Sequence, residues 1–171
     1  MKKLLSSIVA SLVILLPVQV FAKSETTKIT ITGGDLKAPV ILTDLQVLAP
    51  FKVWAGPGTS FVEAQSFIVN WPMHLTDEPP SGLKRYQVSF FAMLPREQLI
   101  YFVFYEYDPS TGVGYVYLPG RADKWYDLNV STIFRGVEGT WHHASKPWDK
   151  TAARLLSSAK GMPQIRTDSG H

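Results

Sequence analysis

Histidine side chains are the first candidates for chemistry, because imidazole binds metals and transfers protons near neutral pH. The chain has four, at His74, His142, His143 and His171. Adjacent strand residues point to opposite faces, so His142 and His143 cannot ligate one ion. The sequence has neither an HExxH motif nor a His-x-His pair, and it lacks cysteine. This pattern predicts ordinary surface or half-buried histidines, with no metal site and no cofactor.

Nucleophilic and phosphate-binding motifs are also absent from the sequence. A serine hydrolase typically has a GxSxG turn, which does not occur, and residues 56–60 lack the lysine and spacing of a phosphate loop. Glu106 lies near the end of an aromatic strand, on the face of Phe102 and Phe104, where a buried carboxylate is a candidate general acid. The alternative is that Glu106 is an ordinary carboxylate at the edge of the sheet with no catalytic role. A hydrolase using Glu106, or a loop aspartate near Arg121, is therefore the second hypothesis for function.

Large aromatic and arginine side chains are the best candidates for recognition. Trp and Tyr combine an apolar ring with a polar atom, and with Arg they dominate binding hot spots. Such side chains stack on sugars or anchor a protein partner. The candidate surface consists of Trp54, Arg121, Trp125, Tyr126, Arg135 and Trp141. The alternative is that these rings close the hydrophobic core, and the sequence leaves both possibilities open.

These candidates must be positioned by β structure, and the clearest β pattern lies between Lys84 and Leu118. The predicted strands are residues 86–94, 99–107 and 114–118. Pro109 and Gly112 mark a tight turn before the last of them, because proline presets φ and glycine supplies a positive φ. Connections this short force antiparallel neighbours, so the pattern predicts a three-stranded meander.

The middle strand of this meander is apolar on both faces. Alternation places Ile100, Phe102 and Phe104 on one face, and Leu99, Tyr101, Val103, Tyr105 and Tyr107 on the other. Such a strand needs a cover on each side, since bare aromatic surface aggregates. We expect strands around Ile29 and Phe67 on one face and a C-terminal helix on the other. That helix is predicted from Pro147 to Ala159, where apolar residues recur at spacings of three and four.

Shorter elements are predicted on either side of the meander. They are strands at 28–32, 38–42 and 67–71, a helical turn capped by Thr43 or Asp44 and running to Leu48, and a hairpin pairing 132–135 with 139–144. The predicted fold class is therefore α+β, mainly β. It consists of an antiparallel sheet of roughly five to eight strands with the C-terminal helix packed on it.

The first 22 residues match a cleavable secretory signal. Lys2 and Lys3 precede an apolar run from Leu4 to Leu16, Pro17 interrupts it, and residues 20–22 form a signal-peptidase site. A membrane anchor is the alternative, but the run is shorter than the roughly 20 apolar residues of a spanning helix. The predicted organisation is a signal helix at 1–22, one β-rich domain at 23–161 and a flexible tail at 162–171.

Charge and composition restrict the partners of the exported chain. The sequence contains 17 Lys+Arg and 14 Asp+Glu, and two of the lysines belong to residues 1–22. No basic run remains that would follow a phosphate backbone, so nucleic acid is not an expected partner. We expect a periplasmic or secreted domain with no membrane span after cleavage. Its expected function is to bind an envelope protein or a small ligand without catalysing a reaction.

Four segments of the sequence carry a family resemblance. They are Gly33-Gly34-Asp35-Leu36, Phe51-Lys52-Val53-Trp54-Ala55-Gly56-Pro57-Gly58, Tyr117-Leu118-Pro119-Gly120-Arg121 and Arg135-Gly136-Val137-Glu138-Gly139-Thr140-Trp141. Together they resemble an uncharacterised family of short exported bacterial proteins, over most of the chain that follows the signal. The resemblance implies export. It implies no activity and no functional residue.

Overall fold

The computed structural model describes residues 25–59, 67–71, 76 and 78–161. Its strands are β1 (Thr26–Gly33), β2 (Val40–Leu42), β3 (Lys84–Met93), β4 (Glu97–Asp108), β5 (Val113–Tyr117) and β6 (Trp141–His143). Its helices are α1 (Leu45–Leu48), α2 (Tyr126–Thr132) and α3 (Lys146–Gly161). The strands form an antiparallel sheet in the order β2-β1-β3-β4-β5-β6. This confirms the predicted fold class, whereas the predicted signal helix and flexible tail lie outside the described residues.

The central meander of β3, β4 and β5 is confirmed, and its second turn has the predicted chemistry. Asp108 accepts hydrogen bonds from the Ser110 backbone N–H and hydroxyl and from the Thr111 hydroxyl. Gly112 has a φ of +71°, which glycine adopts without steric cost. The turn thus returns the chain directly into β5, and Tyr117 pairs with Phe104 across the two strands.

One face of the sheet, the core face, carries the hydrophobic core. Side chains from five strands line it, among them Ile29, Ile31, Tyr86, Val88, Phe90, Tyr101, Val103, Tyr105, Val116 and His142. Phe51, Phe67 and Trp148 pack on this layer. The Phe67 ring centroid lies 5.2 Å from that of Phe90, and the Trp148 centroid lies 5.8 Å from that of Tyr105. The core is therefore a single layer between the sheet and α3 with the segments around Phe51 and Phe67.

The expectation that strands around Ile29 and Phe67 cover one face of β4 and the C-terminal helix covers the other is wrong. Ile29 lies in the same sheet as β4, and Phe67 packs on the same face as Trp148 of α3. The reason is the amphipathic pattern of β1 and β3, whose opposite face carries polar side chains such as Thr30 and Ser89. Helix α3 and the segments around Phe51 and Phe67 gain most burial on the face that is apolar across several strands, so they pack there. On the other face, Trp125 and α2 cover β4 at Phe102.

A β-bulge changes the alternation that the sequence predicts for Ile100. The register between β3 and β4 shifts at Phe90 and Phe91, so that Phe90 faces Tyr101 while Phe91 faces Leu99. Ile100 is the extra residue, and it packs in the main core cluster rather than beside Phe102. A bulge inserts one residue into one strand, which a strict period of two cannot anticipate.

The segments around the meander correct two further predictions and confirm a third. Residues 132–135 and 139–144 do not form a hairpin, because α2 occupies residues 126–132 and β6 pairs with β5 instead. Residues 67–71 are not a regular strand, although Val69 forms an isolated bridge with Ala144. The helical turn α1 is confirmed, and Asp44 caps it by accepting a hydrogen bond from Gln46 N.

Helix α3 is fixed to the sheet by a carboxylate in its first turn. Asp149 accepts hydrogen bonds from the Tyr105 hydroxyl at 2.9 Å and from the Gly114 backbone N–H at 3.3 Å. Ala152 and Leu156, one and two turns further along, are buried in the core. In the part of the chain that the structure describes, no helix is long and apolar enough to span a bilayer.

Candidate functional site: an aromatic strip on the open face

The open face of the sheet, opposite the core face, presents aromatic and charged side chains in two neighbouring rows. Strand register places Arg85, Glu106, Tyr115 and His143 in one row, and Gln87, Phe104, Tyr117 and Trp141 in the next. Neighbours within a row lie on adjacent strands, close enough for long side chains to touch. The register therefore gathers residues from four strands into one patch.

Five rings on this face form a chain of contacts, the aromatic strip. Its members in spatial order are Trp125, Phe102, Phe104, Tyr117 and Trp141. Consecutive ring centroids are 4.6, 5.0, 6.3 and 5.1 Å apart. Phe102 is 1% exposed, whereas the other four rings are half-buried. The strip thus has a buried anchor and a row of partly exposed rings.

An ion pair lies directly beside the aromatic strip. Arg85 Nε donates a hydrogen bond to Glu106 Oε1 at 2.7 Å, and the guanidinium carbon lies about 5.5 Å from the Phe104 and Trp141 ring centroids. The Glu106 side chain is 7% exposed and that of Arg85 is 52% exposed. Within the described residues, Nε is the one guanidinium nitrogen of Arg85 with a hydrogen-bond partner, and Glu106 Oε2 has none. The pair therefore offers free donors and a free acceptor next to flat rings.

The loop after β5 holds Tyr117 of the strip in place. The Tyr117 hydroxyl donates to Asp123 Oδ2 at 3.0 Å, and the same oxygen accepts from Gly120 N at 2.8 Å. Burial, followed by the Asp123 carboxylate, raises the pKa of Tyr117 above its ordinary value. The hydroxyl therefore stays protonated and directed at Asp123, which leaves the ring of Tyr117 as its contribution to the strip.

The structure brings together part of the predicted recognition surface. Trp125 and Trp141 occupy the two ends of the aromatic strip, and Trp125 stacks on Phe102 with a 21° angle between the rings. Arg121 is exposed and Tyr126 is half-buried. In the described part of the chain, no ring or cation–π contact joins either of them to the strip.

Arg135 and Trp54, also predicted for this surface, belong to the core side instead. Arg135 is 5% exposed, and Trp54 packs against the core cluster. The guanidinium of Arg135 lies 5.0–5.1 Å from the ring centroids of Phe67, Trp71 and Tyr101. Its position decides between the two alternatives that the sequence left open for this residue, because a side chain enclosed by three core rings cannot contact a ligand at the surface.

The two adjacent histidines lie on opposite faces of β6, as predicted. His142 is buried on the core face, and His143 is half-buried on the open face beside Tyr115. Burial, and second the positive charge of Arg135, lower the pKa of His142 to about 4, so its imidazole is neutral at physiological pH. His74 and His171 lie outside the described residues. No group of three potential metal ligands occurs among the residues that are described.

The sequence did not point to Arg85 of the ion pair or to three rings of the strip, namely Phe102, Phe104 and Tyr117. A usable signal was present on β3, where Arg85, Gln87 and Ser89 alternate with buried residues and so indicate a face without a core. Pairing that face with the even-numbered residues of β4 would have required the register, which depends on the bulge near Ile100.

Comparisons with known proteins do not extend these observations. No protein-family model matches the sequence, and no curated protein or solved structure is significantly similar to it. The fold and the site define a small β-rich domain with an open aromatic sheet face. Its function therefore has to be argued from the chemistry of that face.

Proposed function

We propose that this chain is an exported, non-enzymatic binding module of the bacterial envelope, and that its ligand docks on the aromatic strip. The observation that carries this proposal is the position of Phe104, Tyr117 and Trp141. These rings remain partly exposed on the open face, whereas the largest fully buried side chains other than Phe102 belong to the core cluster. Contiguous aromatic surface on a folded domain is typical of a binding site.

Arg85 adds specificity to this surface. A half-exposed guanidinium beside Trp and Tyr rings has the composition of a binding hot spot, in which a few such side chains supply most of the affinity. Its partner Glu106 is buried and fixes the guanidinium through Nε. A preorganised side chain loses little conformational entropy when a ligand binds, which favours tight binding.

The surroundings of Glu106 favour binding over hydrolysis. The hydrolase hypothesis requires Glu106 to work with Arg121 and with a second acid or base. Among the described residues, the hydrogen-bond partner of the Glu106 side chain is Arg85. His143 lies two strands away in the register, so that its backbone is about 10 Å from that of Glu106. Tyr115 lies between them in the register and its ring contacts that of His143, and no hydrogen bond joins Glu106 to a second acid or base among the described residues.

The proposal of export rests on the sequence of residues 1–22, with its basic start, its apolar run and its small residues before position 23. The resemblance to short exported bacterial proteins supports the same location. A domain without cysteine depends on its core rather than on disulfides for stability outside the cytoplasm.

A sedimentation assay tests the binding proposal. The chain from residue 23 onward is mixed with a washed bacterial envelope fraction and centrifuged. We expect the wild type to sediment, and we expect Trp141→Ala and Arg85→Gln each to lower retention at least fivefold. Phe134→Ala is the matched control, because Phe134 is 62% exposed but lies outside the strip. Thermal unfolding of each variant verifies the fold.

Two outcomes would contradict the proposal. One is a wild-type chain that stays in the supernatant at every protein concentration tested. The other is a folded Trp141→Ala variant that sediments as well as the wild type. Arg85→Gln gives an independent result if Trp141→Ala fails to fold, because more than half of the Arg85 side chain is in solvent.

A further inference from the structure

We infer that the ligand of the aromatic strip is an uncharged glycan, bound through ring stacking and through hydroxyl groups shared by Arg85 and Glu106. This inference rests on the binding function proposed above and names its ligand class. It follows from the hydrogen-bonding groups that the ion pair leaves free, from the net charge of the pair and from the arrangement of the rings.

The ion pair selects a ligand group that both donates and accepts hydrogen bonds. Within the described residues, the terminal nitrogens of Arg85 are unused donors and Glu106 Oε2 is an unused acceptor. A hydroxyl is the group that satisfies both, because it has one O–H donor and two lone pairs. Neighbouring hydroxyls, as found on a sugar ring, would satisfy the two side chains together.

The net charge of the pair argues against ionic ligands. Glu106 is 6% exposed and carries the compensating charge for Arg85 at 2.7 Å. A phosphate or carboxylate approaching Arg85 would meet the nearby Glu106 carboxylate, and a cation approaching Glu106 would meet Arg85. Like charges at close range in a partly desolvated site are unfavourable. A neutral, hydroxyl-rich molecule avoids both penalties.

The rings supply the second half of the recognition. Sugars have apolar faces of C–H groups, and these pack against the flat faces of aromatic rings. Phe104, Tyr117 and Trp141 lie in succession with centroids 6.3 and 5.1 Å apart, and Arg85 projects over Phe104 and Trp141. An elongated strip that carries its polar group over two of its rings suits a chain of sugar units better than a compact metabolite.

Chemical treatment of the envelope fraction separates a glycan from a protein ligand. Periodate cleaves vicinal diols of sugars, whereas proteinase K removes proteins and spares glycans. We expect periodate to lower sedimentation of the wild-type chain at least fivefold, and proteinase K to leave it unchanged. Loss of retention after proteinase K with full retention after periodate would overturn the glycan assignment and indicate a protein partner.

Titration with defined sugars then tests the class directly. The probes are neutral hexasaccharides of the cello-, malto-, xylo- and chito-series and, as the acidic control, hexagalacturonate. Tryptophan fluorescence and calorimetry measure binding. We expect at least one neutral series to bind, and to bind at least tenfold more tightly than hexagalacturonate. Preference for the acidic probe, or binding of none of them, would overturn the assignment.

Glu106→Gln is the sharpest variant, because it keeps the shape of the side chain. Its amide oxygen still accepts from Arg85 Nε, which leaves an NH2 donor where wild type has the free acceptor Oε2. We expect at least a tenfold loss of affinity for the neutral glycan, while Phe134→Ala binds normally. Unchanged affinity in folded Glu106→Gln would contradict the role given to Glu106. If sedimentation depends on Trp141 but no glycan binds, the glycan assignment is wrong, whereas the proposed binding function stands.

Discussion

Asn129 of α2 pairs with the backbone of Phe102 in β4 as a neighbouring strand would. The Phe102 N–H donates to Asn129 Oδ1 at 2.8 Å, and Asn129 Nδ2 donates to the Phe102 carbonyl at 2.7 Å. β5 pairs with β4 from Phe104 onward, so it ends before reaching these two backbone groups. Asn129 is fully buried and continues the hydrogen-bonding ladder by one residue.

Replacing Asn129 with alanine should lower the free energy of unfolding by about 2–4 kcal/mol, because two buried backbone groups lose their partners. Urea denaturation measures this change. Ser131→Ala on the same helix is the control, because its hydroxyl is exposed, and it should alter stability by no more than about 0.5 kcal/mol. Similar losses in both variants would show that the pairing with Phe102 contributes nothing specific.

Arg135 should be required for folding rather than for binding. Its guanidinium donates to the carbonyl oxygens of Val53, Ala55 and Pro57 and to the Tyr101 hydroxyl. Arg135→Met leaves these acceptors unpaired, and we expect a loss of about 3 kcal/mol or more in unfolding free energy.

Arg135→Lys should also destabilise the protein, because an ammonium group cannot reproduce the planar fork of the guanidinium. Exposed Arg121 offers a matched control, and Arg121→Ala should change stability by less than about 0.5 kcal/mol. A stable Arg135→Met protein that sediments poorly with the envelope fraction would return Arg135 to the recognition surface.

His142 should make the protein sensitive to mild acid. Its pKa falls from 6.5 in the unfolded chain to about 4 in the folded protein, mainly through burial. A depressed folded pKa means that the stability contribution is fully present above pH 6.5 and is lost as pH falls towards 4. We expect a loss of about 2–3 kcal/mol across this window. Denaturation at several pH values should show a smaller loss in His142→Gln, whereas Phe134→Ala should keep the wild-type dependence.

The contribution of Asp149 to stability should have a pH dependence opposite to that of His142. Burial raises the pKa of Asp149 above the ordinary 3.8, so the folded protein holds this proton more tightly than the unfolded chain. Its contribution to stability is therefore fully present below 3.8 and is lost as pH rises through the folded pKa. Relative to Asp149→Asn, the wild type should become progressively less stable as pH rises above 3.8, until the folded pKa is passed, as measured by urea denaturation.

Tyr105→Phe provides a second test of the same pair. The Tyr105 hydroxyl donates to Asp149 and lowers its pKa, so removing that hydroxyl should raise the pKa further and extend the loss of stability to higher pH. A pH dependence equal to that of the wild type would show that this hydrogen bond does not influence Asp149 in solution.

Three tryptophans should differ in their contribution to stability. Trp148 is fully buried between Phe51 and Tyr105, and Trp148→Ala should cost about 3–5 kcal/mol. Trp125→Ala uncovers Phe102 and should cost about 2–3 kcal/mol. Trp141→Ala should cost only about 1 kcal/mol, because the ring is partly exposed. If Trp141→Ala lowers the free energy of unfolding as much as Trp148→Ala does, Trp141 belongs to the core and is not part of the binding surface.

Much of the fold could be predicted because it depends on neighbours in the chain. The meander follows from turns such as Asp108–Gly112, which admit only antiparallel strands, and α3 follows from apolar residues at helical spacing. The opposite orientations of His142 and His143 follow from the geometry of a strand alone. In each case the deciding interaction spans fewer than about a dozen residues, and the sequence pattern records it directly.

The sequence by itself therefore determined a mainly β domain, its central meander and the C-terminal helix, because periodicity and turn chemistry are local properties. Only the tertiary structure decided that α3 and Phe67 share one face, that Asn129 completes β4, and that Arg85 and Trp141 meet on the other face. Those contacts join residues far apart in the chain, and they depend on strand register and on competition for a single apolar face. A linear pattern encodes neither of these.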